Sequence, residues 1–305
     1  MRPWVLPLLM VVACSGGGGT ASPSPTSTLP AGVRSVHVGG SPCGVAEAAG
    51  AAWVTDAADA RLLRIDPATL EVEVKATLDA TPCELTFAFG ALWIVTQSGA
   101  LDRYDLATGK VTHAPVGTKS YEVEPTADAL WVSDRGSAQL TRVDPVTLRT
   151  STLPLPGTSP GGLVFAFGAL WVGDDTAGAT QLLKVDPRTR RVARVPVGHR
   201  PAYVTATADH VWVSNVEDGT VSRVHPADLT QTAQKVGLSP VNLDVLGGRV
   251  WVPDDGGDAV YELAADGTVA TTYKAPGGGP AVVAPVGEDV WATLFTSGDV
   301  WAITP

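Results

Sequence analysis

Short apolar runs alternate with turn residues along the chain after its N-terminal region. Residues 161–201 show the unit most clearly, because they hold four runs rich in Val and Leu, at 162–167, 169–173, 181–185 and 191–197. Gly, Asp and Pro separate these runs. Apolar runs of this length bounded by turn residues are typical of strands joined in antiparallel fashion. The segment therefore predicts four antiparallel β-strands.

The same unit recurs along the chain, and a tryptophan in its second strand marks the register. Trp171 has counterparts at spacings of 38 to 41 residues, namely Trp53, Trp93, Trp131, Trp212, Trp251 and Trp291. A period near 40 residues with four strands per repeat is typical of β-propeller blades. The seven tryptophans predict an all-β, seven-bladed β-propeller, in which each indole packs between neighbouring sheets.

A lone strand at residues 33–38 precedes the first blade and matches the last strand of a repeat, at 194–197. The final repeat ends after its third strand, at 299–303. We therefore expect residues 33–38 to complete the last blade, which closes the ring and removes open sheet edges. The propeller would then occupy residues 33–305 as one domain.

The N-terminal residues predict export and anchoring. Residues 4–13 form an apolar run that is too short to span a bilayer but suits a signal peptide, which we place at residues 1–13. The run ends in Val-Val-Ala before Cys14 and resembles the lipobox of bacterial lipoproteins, which implies cleavage before Cys14 and a lipid on its thiol. Residues 14–32 are rich in Gly, Ser, Thr and Pro and predict a flexible tether. The alternative is an ordinary secreted protein; the favoured interpretation is an extracytoplasmic protein that touches the membrane only through its lipid.

The acidic balance of the chain narrows the classes of partner. The formal net charge is −10, and it becomes −11 after loss of Arg2 with the signal peptide, since 21 basic residues become 20 against 31 acidic ones. Nucleic acids bind basic surfaces, so no nucleic-acid partner is expected. The charge fits a solvated extracellular monomer, or one that binds cations or basic ligands.

The repeat motifs carry a resemblance to a known group of proteins. Gly-Ala-Leu-Trp-Val-Gly-Asp at 168–174 and Arg-Val-Asp-Pro-x-Thr at 142–147 resemble the YVTN/NHL-type propellers of bacteria, and within these the chain is similar to the streptogramin lyase (virginiamycin B lyase) group. That resemblance implies a seven-bladed fold and a lyase chemistry with a histidine base, an acid and Mg²⁺. The family's Trp-Phe-Thr-Glu is replaced here by sequences such as Trp-Val-Thr-Asp at 53–56. None of the five histidines lies in a recognisable lyase motif, so no catalytic residue is predicted: His37, His113, His199, His210 and His225.

Variable positions in the repeat point to a binding site. In an antiparallel blade, the start of the first strand and the end of the second strand lie on one face, which we call the front face. The two residues after each blade-opening position vary, whereas the aliphatic residue that follows them does not, and a repeat varies where packing does not need it. Aromatic and hydrogen-bonding groups at these positions, with two residues of the loop that enters blade five, form the candidate ligand site: Glu84, Tyr121, Glu122, His199, Arg200, Tyr203 and Asn242.

Aspartates end several second strands on the same face, among them Asp56, Asp134, Asp174 and Asp254. They either cap their own turns or add a negative field beside the candidate site. A divalent cation is left open as a ligand, but no spacing is diagnostic of a metal site and no cofactor is predicted. The opposite face, which we call the back face, is expected to consist of short glycine and Asp-Pro turns with little chemistry.

Two cysteines remain once Cys14 is assigned to the lipid. Cys43 and Cys83 occupy the same position in neighbouring blades. A disulfide, a reduced pair and a soft-metal site are the alternatives, and an oxidising compartment favours the disulfide.

Two functions from different classes follow from these patterns. The favoured one is a surface-anchored propeller that binds a ligand or protein partner through its front face. The alternative is a carbon–oxygen lyase or hydrolase similar to streptogramin lyases. The position of His199 relative to Glu84 and Glu122 distinguishes them, because a catalytic base must reach the substrate.

Overall fold

A computed structural model describes residues 28–305. The predicted signal peptide at 1–13, the predicted lipidation site Cys14 and residues 15–27 of the predicted tether lie outside the described residues. Within the described part, all regular structure is β-strand. The 28 strands form seven four-stranded antiparallel sheets. The prediction of an all-β, seven-bladed propeller is confirmed. In residues 28–305 there is no helix of the length and apolarity that membrane crossing requires.

The strands follow the chain blade by blade. Blade 1 comprises β2 (Pro42–Ala48), β3 (Ala51–Asp56), β4 (Arg61–Ile65) and β5 (Val72–Thr77). Blade 2 comprises β6 (Pro82–Ala88), β7 (Ala91–Thr96), β8 (Ala100–Asp105) and β9 (Val111–Pro115). Blade 3 comprises β10 (Ser120–Pro125), β11 (Leu130–Asp134), β12 (Gln139–Val143) and β13 (Thr150–Pro154). Blades 4 and 5 comprise β14 (Pro160–Ala166), β15 (Ala169–Asp174), β16 (Gln181–Val185) and β17 (Val192–Pro196); β18 (Pro201–Ala206), β19 (Val211–Asn215), β20 (Thr220–Val224) and β21 (Gln231–Lys235). Blades 6 and 7 comprise β22 (Asp244–Leu246), β23 (Arg249–Asp254), β24 (Ala259–Leu263) and β25 (Val269–Lys274); β26 (Pro280–Val286), β27 (Asp289–Leu294), β28 (Asp299–Ile303) and the N-terminal β1 (Val33–His37).

The N-terminal strand closes the ring as predicted. β1 pairs antiparallel with β28 along its whole length, from Val33 opposite Ile303 to His37 opposite Asp299. The Arg34 guanidinium adds a 2.8 Å ion pair to Asp289 of the same blade and donates a 2.7 Å hydrogen bond to the Pro67 carbonyl of blade 1. Thus β1 completes blade 7 and also ties it to the next blade.

The repeated tryptophans pack between blades, which confirms their predicted structural role. All seven are at most 6% exposed. Trp291 of blade 7 shares a core cluster with Val45 and Leu63 of blade 1, and Trp53 of blade 1 shares one with Leu85 of blade 2. Each indole is buried against the neighbouring sheet, so each blade completes the core of the next. The stability of one blade therefore depends on its neighbours.

The first strand of a blade carries a β-bulge at a fixed position. In blade 2, Pro82 pairs with Thr96 and Leu85 pairs with Ile94, so the two residues between them oppose a single one. The same register shift occurs in blades 1, 3, 4, 5 and 7. Blade 6 has only an isolated bridge from Pro240 to Asp254 there. A bulge re-aims side chains without lengthening the ladder, so the residue pairs that vary in the sequence lie where strand pairing does not constrain them.

Hydroxyl groups of second strands link some bulges to the following blade. Thr55 Oγ1 accepts a 2.9 Å hydrogen bond from the Gly44 amide and donates a 2.5 Å bond to the Cys83 carbonyl. Thr293 makes the corresponding 2.8 Å bond to the Cys43 carbonyl, and Ser133 bonds into blade 4 at 2.7 Å. These bonds satisfy backbone groups that the bulge withdraws from the ladder.

The back face carries the turns between first and second strands. Four of these turns have left-handed residues in succession: Ala49-Gly50 (φ 50° and 69°), Phe89-Gly90 (51° and 73°), Phe167-Gly168 (52° and 73°) and Gly247-Gly248 (60° and 77°). Consecutive positive φ values are the property of type I′ hairpin turns. The chain reaches the ring on this same face, because Val33 and Val290 both pair with Ile303.

Candidate functional site

A cavity of about 180 Å³ lies between the first strands, where the blades meet. Its lining combines aliphatic residues with four carboxyl groups and one amide, from Glu84, Glu122, Glu124, Asn242 and Asp244. Lysine, arginine and histidine are all missing from the described residues that line it. We refer to this space as the axial cavity. Acidic side chains are thus concentrated at the centre of the ring.

The bulge and the strand period explain how these side chains meet. Glu84, Glu122 and Asn242 each occupy the second position after the start of the bulge in blades 2, 3 and 6. Side chains two residues apart on a strand point to the same side. Glu124 and Asp244 therefore extend the walls that Glu122 and Asn242 begin.

Three of the predicted site residues, Glu84, Glu122 and Asn242, therefore line one cavity. Sequence reasoning missed Glu124 and Asp244. The signal that could have found them is the alternation itself, since each lies two residues beyond a predicted site residue.

Burial raises the pKa of each carboxyl group in the axial cavity. For Glu84 it does so to about 8, with a smaller contribution from the charge of Asp244. Burial, followed by the charge of Glu84, holds the pKa of Glu122 well above its usual range. Burial raises the pKa of Glu124 to about 8 and that of Asp244 to about 6. At neutral pH the glutamates favour the protonated form, whereas Asp244 is largely ionised.

The hydrogen bonds of the cavity leave one group unmatched. Glu124 Oε1 accepts a 2.8 Å bond from the Phe165 amide, and Asp244 Oδ1 accepts a 2.7 Å bond from the Val245 amide. Asn242 Oδ1 accepts a 3.1 Å bond from the Val283 amide of blade 7. Glu84 is 6% exposed, and no hydrogen bond from residues 28–305 reaches its carboxyl group. A buried carboxyl group without such a bond is costly to fold.

Tyr121 of blade 3 and Tyr203 of blade 5 meet across blade 4 and hydrogen-bond through their hydroxyl groups. The bulge of blade 4 holds Gly161 and Gly162 instead of side chains. A Cβ at Gly162 would lie 2.7 Å from the Tyr203 Cα, and one at Gly161 would lie 2.4 Å from the Ala202 carbonyl oxygen. Glycine is therefore needed for blade 5 to approach blade 4 this closely.

A cluster of ions surrounds the tyrosine pair. Arg135 stacks on the Tyr121 ring and makes a 2.7 Å ion pair with Asp175. Arg200 Nε donates a 2.7 Å hydrogen bond to the other oxygen of the same carboxylate. Burial raises the pKa of both Tyr121 and Tyr203, so both stay protonated near neutral pH. The structure thus groups Tyr121, Tyr203 and Arg200, but outside the lining of the axial cavity.

His199 lies away from both groups. Its side chain is 56% exposed, and Nδ1 lies 3.0 Å from Asp218. The other four histidines also approach an aspartate through Nδ1, at 2.9 Å for His37, 2.7 Å for His113 and 3.0 Å for His210 and His225. No histidine of the chain lines the axial cavity, and all five lie within the described range.

The aspartates that end second strands cap the loops between blades. Asp56 accepts a 2.9 Å hydrogen bond from the Ser41 amide and a 2.6 Å bond from Arg61. Asp134 and Asp254 likewise accept bonds from the amides of the preceding loop, at 2.8 Å from Lys119 and 2.6 Å from Ser239. Of the two roles considered from the sequence, capping is the one that the structure shows. Among the axial carboxyl groups, Asp244 is the one that is largely ionised near neutral pH.

Cys43 and Cys83 face each other across the bulges of blades 1 and 2. Their Cα atoms are 4.9 Å apart and their sulfur atoms are joined in a disulfide. Cys83 directly precedes Glu84, so the bond adjoins the axial cavity. Over residues 28–305, no three His, Cys, Asp or Glu side chains are grouped in a way that could hold a metal ion.

Comparisons with known proteins show similarity in fold but not in sequence. No protein-family model matches the chain, and no curated protein matches it in sequence. Virginiamycin B lyase from Staphylococcus aureus superposes with a TM-score of 0.80 at 14% identity, over 90% of this chain and 99% of that one. A streptogramin B lyase structure gives 0.79 at 14% identity, over 88% and 96%. BamB from Moraxella catarrhalis gives 0.60 at 16% identity, over 86% and 82%. The predicted similarity to the streptogramin lyase group is thus confirmed for the propeller fold.

Proposed function

We propose that the chain is an extracytoplasmic lipoprotein, anchored through Cys14, whose propeller binds a small ligand or protein partner through its front face and axial cavity. One observation carries the proposal: four carboxyl groups converge on a cavity without a basic lining residue, and Glu84 is buried there without a hydrogen-bond donor. Buried carboxyl groups need a proton, a donor or a cation.

The chemistry of the cavity favours a ligand with a primary ammonium group. Such a group has three donors and one positive charge, which suit carboxyl groups supplied by several blades. Because Glu84, Glu122 and Glu124 hold their protons at neutral pH, binding of the cation would release protons. The ammonium group is either that of a small amine or that of a lysine side chain on a protein partner.

Calorimetry with n-butylammonium tests this site. The probe should bind residues 28–305 and release protons, which appears as a dependence of the measured heat on the ionisation enthalpy of the buffer. Glu84→Gln combined with Glu122→Gln should weaken binding by at least about tenfold, because two charge-assisted hydrogen bonds are lost. Tyr203→Ala reports whether the tyrosine pair also takes part.

Glu71→Gln is the matched control, because Glu71 is exposed and does not line the cavity. Unchanged affinity in the double variant would place the site elsewhere. Absence of binding by n-butylammonium together with binding of Ca²⁺ would replace the ammonium ligand by a metal ion. Absence of binding by either probe would reject the axial site.

The anchor has its own test. Cys14→Ala should release the full-length protein from membranes, since the thiol that would carry the lipid is gone. Fractionation of cells that express the parent or the variant measures this release. Equal membrane association of the two proteins would contradict the anchor.

The similarity to virginiamycin B lyase favours a second candidate function, a carbon–oxygen lyase. Such a lyase needs a base within reach of the substrate. His199 is instead bonded to Asp218 at the exposed surface, so binding without turnover remains our first candidate. Incubation with virginiamycin B, followed by chromatography, distinguishes the two. Turnover that is lost in His199→Ala would establish the lyase.

A further inference from the structure

Four of the five phenylalanines in the chain are exposed on the back face. Phe87 and Phe165 are 41% and 37% exposed, and Phe89 and Phe167 are each 42% exposed. They occupy two equivalent sites, since both blade 2 and blade 4 carry Phe-Ala-Phe-Gly at the turn between first and second strands. We refer to these two turns as the phenylalanine turns. Large apolar side chains in repeated exposed positions mark an interaction surface.

The backbone conformation of these turns does not require phenylalanine. Phe89 and Phe167 have φ values of 51° and 52°, in the left-handed region that side chains other than Gly, Asn and Asp disfavour. Blade 1 has Ala49 at the same position with a φ of 50°, and blade 6 has Gly247 with a φ of 60°. Small residues therefore serve the same turn elsewhere in the ring. A bulky ring in a strained, exposed position is a sign of a role outside the fold.

Basic side chains accompany the aromatic ones in blade 4. Arg188 is exposed in the turn after the third strand of blade 4, on the same back face, and it lines a surface depression together with Phe165 and the ion pair of Arg142 with Asp128. Arg190 and Arg191 follow it and are also exposed. Aromatic rings next to arginines form the amphipathic combination found at the boundary between lipid headgroups and acyl chains.

The position where the chain enters the fold also favours a membrane as the partner of the back face. Val33 pairs with Ile303 on the back face, so the chain enters the first strand from that side. An N-terminal segment that leads to a membrane would therefore bring the back face toward the bilayer. The front face and the candidate ligand site would then face away from it.

We propose that the back face rests on the surface of a phospholipid bilayer, with the phenylalanine turns inserted at the level of the headgroups and Arg188 beside them. The contact is separate from the lipid on Cys14 and does not depend on any ligand of the axial cavity. It orients the propeller, whereas a flexible tether alone would leave its orientation free.

Flotation with phosphatidylcholine vesicles tests the contact on residues 28–305, which contain every blade and the closing strand. This part of the chain lacks Cys14, so any binding comes from the propeller. The parent should float with the vesicles. Phe89→Asn combined with Phe167→Asn should lower the partition coefficient by about tenfold or more, because it removes two half-exposed rings from the apolar contact.

The same substitution separates binding from folding. Asn followed by Gly is favoured in a type I′ turn, so the double variant should melt at the same temperature as the parent or higher. Ala49→Asn is the matched control: it makes the same turn in blade 1 and should leave vesicle binding unchanged. Equal flotation of parent and double variant, or no flotation of the parent, would overturn the proposal. Self-association of the parent that disappears in the double variant, without flotation, would assign the surface to a second copy of the chain.

Discussion

At the scale of single residues, Glu84 combines deep burial with an acidic group that lacks a hydrogen bond from the described residues. Its pKa of about 8 means that the folded state retains a proton that an unfolded glutamate loses near pH 4. Between these two pH values the folded state binds more protons than the unfolded state. The contribution of Glu84 to stability is therefore complete below the unfolded pKa and is lost as the pH rises through the folded one.

The free energy of unfolding should accordingly fall between about pH 5 and about pH 8, by an amount on the order of 2 kcal/mol. Glu84→Gln should reduce this dependence, because its amide has no proton to lose. Urea unfolding of residues 28–305 at both pH values measures it. Glu71→Gln should keep the full dependence, and a parent that is equally stable at both values would contradict the assigned burial.

Residue positions were predictable where the repeat supplied a comparison. Glu84, Glu122 and Asn242 vary at a fixed place in an otherwise constant strand, and they line one cavity. The position of His199 outside that cavity could not be predicted, because it is bonded to Asp218. That aspartate lies 19 residues away in the chain and has no counterpart in the repeat motif. The bond between Tyr121 and Tyr203 was equally hidden, because it requires blade 4 to contribute only glycine between them.

At the scale of elements, the bulged first strand separates variable positions from the ladder. The ladder pairs resume at the constant aliphatic position, as with Leu85 opposite Ile94. The alternation of apolar residues could predict the strands but not the bulge, because an extra residue changes which side each neighbour points to. Blade 6 shows the effect, since Asn242 and Asp244 reach the cavity although β22 has only three residues.

The disulfide is a property of two such elements. Cys43 and Cys83 occupy equivalent bulges, and the bond encloses a separation of 40 residues. Cys43→Ser combined with Cys83→Ser should lower the free energy of unfolding by roughly 2–4 kcal/mol, because the unfolded chain regains the freedom of that loop. Chemical denaturation measures the difference, and non-reduced mass spectrometry of the parent should find neither thiol free. Two free thiols would instead indicate a reduced pair.

At the scale of the whole molecule, stability depends on a ring that is closed by a short N-terminal strand. Five residue pairs join β1 to β28. The period of the tryptophans was enough to predict seven blades. The spare strand before the first blade and the missing fourth strand of the last repeat were enough to predict closure. The character of the back face was less predictable from the sequence. It was expected to offer little chemistry, but four phenylalanines are exposed there.

A variant that starts at Pro42 should lose several kcal/mol of stability relative to residues 28–305, because β28 becomes an open edge and Trp301 loses the cover of Val33. Thermal unfolding of both proteins measures the loss. The variant should also self-associate through the exposed edge, which ultracentrifugation detects. An unchanged melting temperature would show that closure contributes little.

Closure also brings the two ends of the described chain together, since the Thr304 amide donates a 2.9 Å hydrogen bond to the Gly32 carbonyl. A short peptide linker could therefore join residue 305 to residue 28, and new termini could be opened in an exposed turn on another blade. Such a circular permutant would retain the same seven sheets, while the strand that closes the ring would become an internal part of the chain. The order in which the blades follow one another in the gene is thus separable from the order in which they stand around the axis.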